Sequence, residues 1–269
     1  MISDVMFLVP CYLVLGSFVG VCAGLLGIGG GLILTPCFYY IFHYYGGILG
    51  HSMTEDVAMH MALATSMAII LPTGLSSAGA QIKRKAVDWS AFQLLSPGVM
   101  IGACVGVYLV SRLHSDSLKL IFACGLAGIS ISMVIRKETA APAAILNKIV
   151  CAFPVSIVIG TVSVLLGISG SVLNSPYMNR AGLPLKNAIA TGAALGVIFS
   201  LTANIAYIIA GGGSFVHVDW ASVALIAPMS VAFAPVGVRL SHALPVPQLK
   251  LIFAILLILL SLKMVLDVI

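Results

Sequence analysis

The feature that most limits what this chain can become is a cluster of glycines inside a hydrophobic stretch. From Val5 to Phe42 the sequence is apolar enough to sit in a bilayer, yet it carries Gly27-Ile28-Gly29-Gly30-Gly31 ahead of Leu32-Ile33-Leu34-Thr35-Pro36. A glycine in a helix interior costs about 1 kcal/mol against alanine, so a continuous helix fails here. The break frees backbone N–H and C=O groups, and lipid offers them no partners. At membrane depth such a break survives only where it is packed in protein or lines a wet cavity. The same break recurs in Gly167-Ile168-Ser169-Gly170-Ser171-Val172-Leu173-Asn174-Ser175-Pro176, with Gly27/Gly167, Ile28/Ile168, Gly30/Gly170 and Pro36/Pro176 at one offset. Broken helices in matching positions of two halves point to a transporter's binding site.

Composition sets the class. Of 269 residues, 61% are hydrophobic and 8% charged, with a mean hydropathy of +1.16; a soluble domain carries about a quarter charged residues. The chain reads as an all-α polytopic membrane protein with short loops. Its +5 charge is spread along the loops without a long basic run, which argues against nucleic acid as a partner. Met1-Ile2-Ser3-Asp4 lacks a basic leader region, so the first segment is expected to be retained. Cys11, Cys22, Cys37, Cys104, Cys124 and Cys151 lie in apolar segments at no metal-ligand spacing. They read as packing residues, and neither a metal nor a cofactor is expected.

About 20 apolar residues span a bilayer. The apolar blocks are Val5 to Tyr45 with its break, Val57 to Ala80, Trp89 to Val110 and Leu118 to Ile135. The second set is Ile149 to Met178 with its break, Leu185 to Ala210, Trp220 to Leu240 and Leu249 to Val268. The expected organisation is a first membrane repeat at 1–136, a polar linker at 137–148 and a second repeat at 149–269. Val87-Asp88-Trp89 returns as Val218-Asp219-Trp220, and Leu118 to Ala123 returns as Leu249 to Ala254, both 131 residues on. Ala64-Thr65 answers Ala190-Thr191 at an offset of 126. Four blocks per half, the first of each broken, predict a pseudo-symmetric transporter fold. If each broken block crosses once, the repeats are parallel and the basic residues divide evenly between the two sides. If each is a hairpin, the repeats are inverted. One side then carries Lys83, Arg84, Lys85, Arg136, Lys137, Lys148, Arg180, Lys186, Arg239 and Lys250, while Arg112 and Lys119 face the other. The positive-inside rule prefers the hairpin picture, with the basic side in the cytoplasm.

These stretches together resemble the sulfite exporter TauE/SafE family. The residues that carry the resemblance are Gly20-x-x-x-Gly24-Leu25-Leu26-Gly27-Ile28-Gly29-Gly30-Gly31 with Pro36, then Ala64-Thr65-Ser66, Val87-Asp88-Trp89 and Pro97-Gly98 through Gly102 to Gly106. The second half echoes them in Gly160, Leu166 to Gly170, Pro176, Ala190-Thr191-Gly192 and Gly237. The resemblance implies a membrane carrier for sulfur-containing anions and covers nearly the whole chain. Two stretches depart from the family's pattern. Gln81-Ile82-Lys83-Arg84-Lys85-Ala86 stands where a histidine early and a glycine late are expected, and the second break carries serines and Asn174 in place of plain glycines.

An anion crossing a membrane needs donors with little fixed charge, or it will not leave again. A half-helix starting near Gly30 offers free N–H groups and the positive end of its dipole. The expected substrate-binding residues are Gly29, Gly30 and Gly31 at the first break and Ser169, Gly170, Ser171 and Asn174 at the second. Thr65, Ser66, Thr191 and Asn204 join them from the second block of each half. The same block also carries Thr73, Ser76 and Ser77. Gly16-x-x-x-Gly20-x-x-x-Gly24 reads instead as a helix-packing stripe. Asp88 and Asp219 read as N-caps beside interfacial tryptophans, Ser52 with Glu55 and Asp56 as a capping box, and Arg239 as a snorkelling residue. His43, His51 and His60 are expected at the surface. With no nucleophile–base pair in the sequence, the chain is not expected to be an enzyme. The expectation is a secondary transporter in the inner membrane of a prokaryote, moving sulfite, an organosulfonate or a similar anion. Alternating access would rock the two halves about a midplane site, with protons as the coupling ion expected of the class. An anion channel and a non-transport assembly factor are the other readings.

Overall fold

The computed structural model of the chain describes residues 2–27, 29–45, 55–135, 149–210, 218–243 and 257–264. The linker at 137–148, His51 and the capping box at Ser52 lie outside them. Among the described residues every regular element is a helix. In chain order these are α1 (Ile2–Leu26), α2 (Gly31–Tyr45), α3 (Glu55–Lys83), α4 (Trp89–Val110), α5 (Ser115–Ile135), α6 (Ile149–Leu165), α7 (Ser171–Arg180), α8 (Leu185–Ala210) and α9 (Trp220–Ala243). A further helical segment, α10, occupies 257–264. Four helices are long and apolar enough to cross a bilayer, at Val57–Lys83, Trp89–Val110, Leu185–Ala210 and Trp220–Ser241. The protein is therefore an all-α, polytopic membrane protein.

The helices start and stop where local chemistry says they should. Asp88 takes an extended conformation and its Oδ1 accepts from the Ala91 amide at 2.9 Å, capping α4. Asp219 does the same for α9, accepting from the Ala221 amide at 3.1 Å and from the Ser222 hydroxyl at 2.6 Å. Both aspartates are caps, and a capping carboxylate satisfies amides that would otherwise have no partner. α3 ends where Lys85 turns to φ +54 and the Ala86 amide reaches back to the Gln81 carbonyl at 3.3 Å. That is a left-handed closure more often built on glycine.

α2 turns back along α1. The rings of Tyr12 and Phe38 lie 6.4 Å apart, and a Cβ on Gly30 would meet Val19. In one continuous helix residues 12 and 38 would be about 39 Å apart. With 15 residues, α2 is about 22 Å long, short of a full hydrocarbon core of about 30 Å.

The closest packing joins helices from different ends of the chain. α1 runs parallel to α9, with Gly16, Gly20 and Gly24 set against the backbone at Ile226, Ser230 and Ala234. α6 runs parallel to α4, with Gly98 against Phe153 and Ser156, Gly102 against Ile157 and Gly160, and Gly106 against Thr161 and Val164. A Cβ on Gly24 would come within 2.0 Å of the Ala234 carbonyl oxygen. The Gly16–Gly24 stripe is thus a packing surface, where small residues let helix backbones approach.

α3 and α8 form the centre and run antiparallel. Asn204 of α8 donates to the Met67 carbonyl of α3 at 3.0 Å. α9 attaches to α3 through Thr73–Ser230 at 2.6 Å and through Ser76 donating to the Val231 carbonyl at 2.8 Å. On the other side, the turn before α4 attaches to α8. The Asp88 amide donates to Thr191 at 2.8 Å, and Asn187 donates to the Ala86 carbonyl at 3.0 Å.

Candidate functional site

The two glycine breaks meet. The Gly27 carbonyl accepts a hydrogen bond from Ser171, and the Gly167 carbonyl accepts one from Thr35 at 3.2 Å. Each break's first glycine is therefore held by a hydroxyl on the short helix that follows the other break. A Cβ on Gly29 would sit 2.6 Å from Ser169 Cβ, and one on Gly31 would sit 2.2 Å from the Gly167 carbonyl oxygen. Both positions need glycine for space, and Gly29, at φ +69, needs it for conformation as well.

The breaks differ in backbone, and the difference accounts for their sequences. Gly27, Gly29 and Gly30 take φ of +66, +69 and +83, whereas in the second break Gly167 at +56 is the left-handed residue. A side chain at positive φ is strained, so the first break needs glycine at 27, 29 and 30. The second break carries Ser169 where the first carries Gly29.

Between the breaks lies a small cavity, partly open to the exterior. Its lining is Gly27 and Gly29 from the first break, Ser169 from the second, Ile70, Gly74 and Ser77 from α3, and Ala193 and Gly196 from α8. No acidic or basic side chain is among them. The enclosed part is narrow and holds about one water molecule. The cavity lies beside the middle turns of α3 and α8.

Of the break residues with free backbone donors, Ser169 lines the cavity, and Gly30 and Gly170 belong to the same breaks. No described residue accepts a hydrogen bond from the amides of Gly30, Ser169 or Gly170. Gly170, the N-cap of α7, provides no side-chain cap. Free amides at the starts of α2 and α7 carry the positive ends of those helix dipoles, which favour an anion.

The expected site residues divide into three groups. Gly29 and Ser169 line the cavity; Gly30, Gly31, Gly170 and Ser171 build the breaks beside it. Asn174 is fully buried one turn into α7, and among the described residues neither end of its amide has a hydrogen-bond partner. The remaining four are committed to the fold. Thr65 accepts from the Asp219 amide at 3.0 Å, as Thr191 does from that of Asp88. Ser66 donates to the Leu63 carbonyl and accepts from Thr35, and Asn204 ties α8 to α3.

The cavity residues Ile70, Gly74, Ser77, Ala193 and Gly196 fall outside the expected set. A lone glycine or alanine in an apolar helix gives no signal. Thr35 was findable: it and Ser175 are hydroxyl residues at the offset that relates the two breaks.

Two of the three histidines are described, and both make internal contacts. His43 stacks on Tyr39 with ring centroids 5.8 Å apart. His60 bridges the Val110 carbonyl at 3.2 Å and Ser115 at 3.4 Å. His60 thus ties the start of α3 to the α4–α5 corner, a contact that its place in the sequence does not reveal. Arg239 is exposed on α9.

The fold defines a multi-pass helical membrane protein whose free backbone donors gather where two helices break. Residues 12–264 match the family described as sulfite exporter TauE/SafE, and the chain belongs to that family of membrane transporters. It is 29% identical over 269 residues to a probable membrane transporter protein of Haemophilus influenzae, covering 96% of this chain and 98% of the relative. A probable membrane transporter protein of Bacillus subtilis is 25% identical over 271 residues, covering 94% and 95%. One from Methanocaldococcus jannaschii is 23% identical over 260 residues, covering 93% of each. No solved structure matches the chain significantly.

Proposed function

We propose that this chain is a secondary transporter that carries a small sulfur-containing anion, sulfite or an organosulfonate, across the inner membrane of a prokaryote. The observation that carries the reading is the meeting of the two breaks at one cavity that no charged side chain lines, with backbone amides left free at both breaks. Donors of that kind hold an oxyanion through partial charges and let it go again. Glycines at the breaks allow an oxygen to approach the backbone closely.

The narrowness of the cavity supports a carrier over an open pore. A sulfur bearing three oxygens is larger than one water, so binding requires α3 and α8 to part. The moving bodies would not be the two sequence halves. Rocking residues 1–136 against 149–269 would tear α1 from α9 and α6 from α4, the glycine-packed interfaces. The bodies that keep those contacts are α1–α3 with α9, and α4 with α6–α8. They meet along the α3–α8 seam, where the cavity lies. The return of α2 along α1 supports a hairpin in the first half, which with the repeated break favours inverted repeats and the Lys83-Arg84-Lys85 turn in the cytoplasm.

Flux of radiolabelled sulfite into proteoliposomes tests the reading, with sulfate, thiosulfate and sulfoacetate as competitors. Saturable flux with counterflow is the expected result. Flux without saturation would mean a channel, and the absence of both flux and competition would remove sulfur oxyanions as the substrate. A pH gradient across the vesicle tests proton coupling, for which acceleration by the gradient is expected.

A further inference from the structure

One face of α3 carries Ile70, Gly74, Ser77 and Gln81, the spacing that stacks side chains along a single helix stripe. The first three line the cavity. Ser77 and Gln81 are each 1% exposed, and among the described residues Ser77 Oγ and Gln81 Oε1 have no hydrogen-bond partner. The other hydroxyls of α3 are satisfied. Thr73 donates to the Ile69 carbonyl at 2.8 Å, and Ser76 donates to the Val231 carbonyl at 2.8 Å. Helix hydroxyls ordinarily bond a carbonyl one turn back. Thr73 does so; Ser77, beside the cavity, does not.

Two consecutive buried polar groups without partners are costly to a fold and rare in one. Beyond Gln81 the helix ends, and Lys83, Arg84 and Lys85 are exposed at its terminus. The stripe therefore runs from the cavity to a cluster of three cations, which raises the local concentration of an anion. At the 126-residue offset the sequence counterpart of Gln81 is Tyr207 of α8. Its hydroxyl is likewise buried without a partner among the described residues.

Building on the transporter reading above, we propose that Ser77 is a further substrate contact. Gln81 is the next station on the path by which a small oxyanion passes between the cavity and the Lys83–Lys85 end of α3. The Ser77 hydroxyl donates to an anion oxygen. The Gln81 amide, turned by half a rotation, presents N–H donors in place of its oxygen. Neither group is charged, so neither traps the anion.

Two measurements test this. In proteoliposomes Ser77→Ala is expected to raise the KM for radiolabelled sulfite about tenfold or more. Its unfolding temperature in detergent should be no lower, because no described residue bonds that hydroxyl. A wild-type KM in Ser77→Ala overturns the proposal. The second measurement needs no substrate. In a chain freed of its native cysteines, Ser77→Cys and Gln81→Cys are expected to react with a membrane-impermeant methanethiosulfonate from the Lys83 face. Lys83→Cys serves as the positive control, and Leu75→Cys, exposed elsewhere on α3, should stay unreactive. Reaction at both positions in a protein that moves no sulfite supports the path and refutes the substrate. Silence at both positions from either face, with Lys83→Cys labelled, overturns the path whatever the substrate is.

Discussion

Thr65 and Thr191 sit at matching places in the two halves, as substrate ligands in a symmetric site would. The structure gives both hydroxyls another task, and substitution by valine separates the two roles. Thr65 is fully buried and accepts from the amide of Asp219, itself 9% exposed. Valine matches the shape of threonine but leaves that amide without an acceptor. A buried donor stripped of its partner costs about 1–3 kcal/mol. For a domain of this size, each kcal/mol lowers the unfolding temperature by roughly 2–4 °C. Thr65→Val is therefore expected to unfold about 4–8 °C below the wild type for a loss near 2 kcal/mol, with Thr65→Ser restoring most of it. Thr191→Val should lose no more, because its partner Asp88 is less buried than Asp219. The assay is thermal unfolding in detergent, read beside the KM for sulfite in proteoliposomes. A Thr65→Val protein with an unchanged unfolding temperature and a raised KM would refute the reasoning and return the hydroxyl to the substrate.

Gly29→Ala combines a left-handed backbone with a Cβ 2.6 Å from that of Ser169. It should lose about 2–4 kcal/mol of stability and most of its flux, measured on detergent-stable protein after reconstitution; near-normal flux would show that the break is not closely packed during transport. Asn174→Leu removes an amide that has no partner among the described residues. Its unfolding temperature should rise or hold while sulfite flux falls about tenfold; unchanged flux would take Asn174 out of the site. Cysteine pairs test the moving bodies. Joining positions 67 and 204 across the α3–α8 seam with a short bifunctional reagent should stop flux, and joining 76 and 231 within one body should not. The reverse pattern would mean that the α3–α9 interface is the one that opens.

Much of this architecture is present in the linear pattern. Glycines that interrupt an apolar run predict the breaks, and the structure ends α1 at Leu26 and α6 at Leu165. Asp88-Trp89 and Asp219-Trp220 predict helix starts because a carboxylate at the N-cap is a local interaction. The Gly16–Gly24 stripe shows its role because spacing of four places small residues on one face. All of these depend on neighbours within a turn or two.

Tertiary structure decided which polar groups the fold engages. Repetition in sequence marked Thr65 and Thr191, and the fold uses both to hold the cap residues Asp219 and Asp88 of distant helices. Ser77 has no such echo, its counterpart at the 126-residue offset being Ala203, yet it lines the cavity without a partner among the described residues. Which helices pack together was decided there too, since α1 packs on α9 and α6 on α4 across the length of the chain. The physical reason is common to these cases. Helical period assigns a residue to a face, but a hydroxyl or a glycine acts on whatever atom lies within about 3 Å of it, and long-range contacts alone bring that atom there.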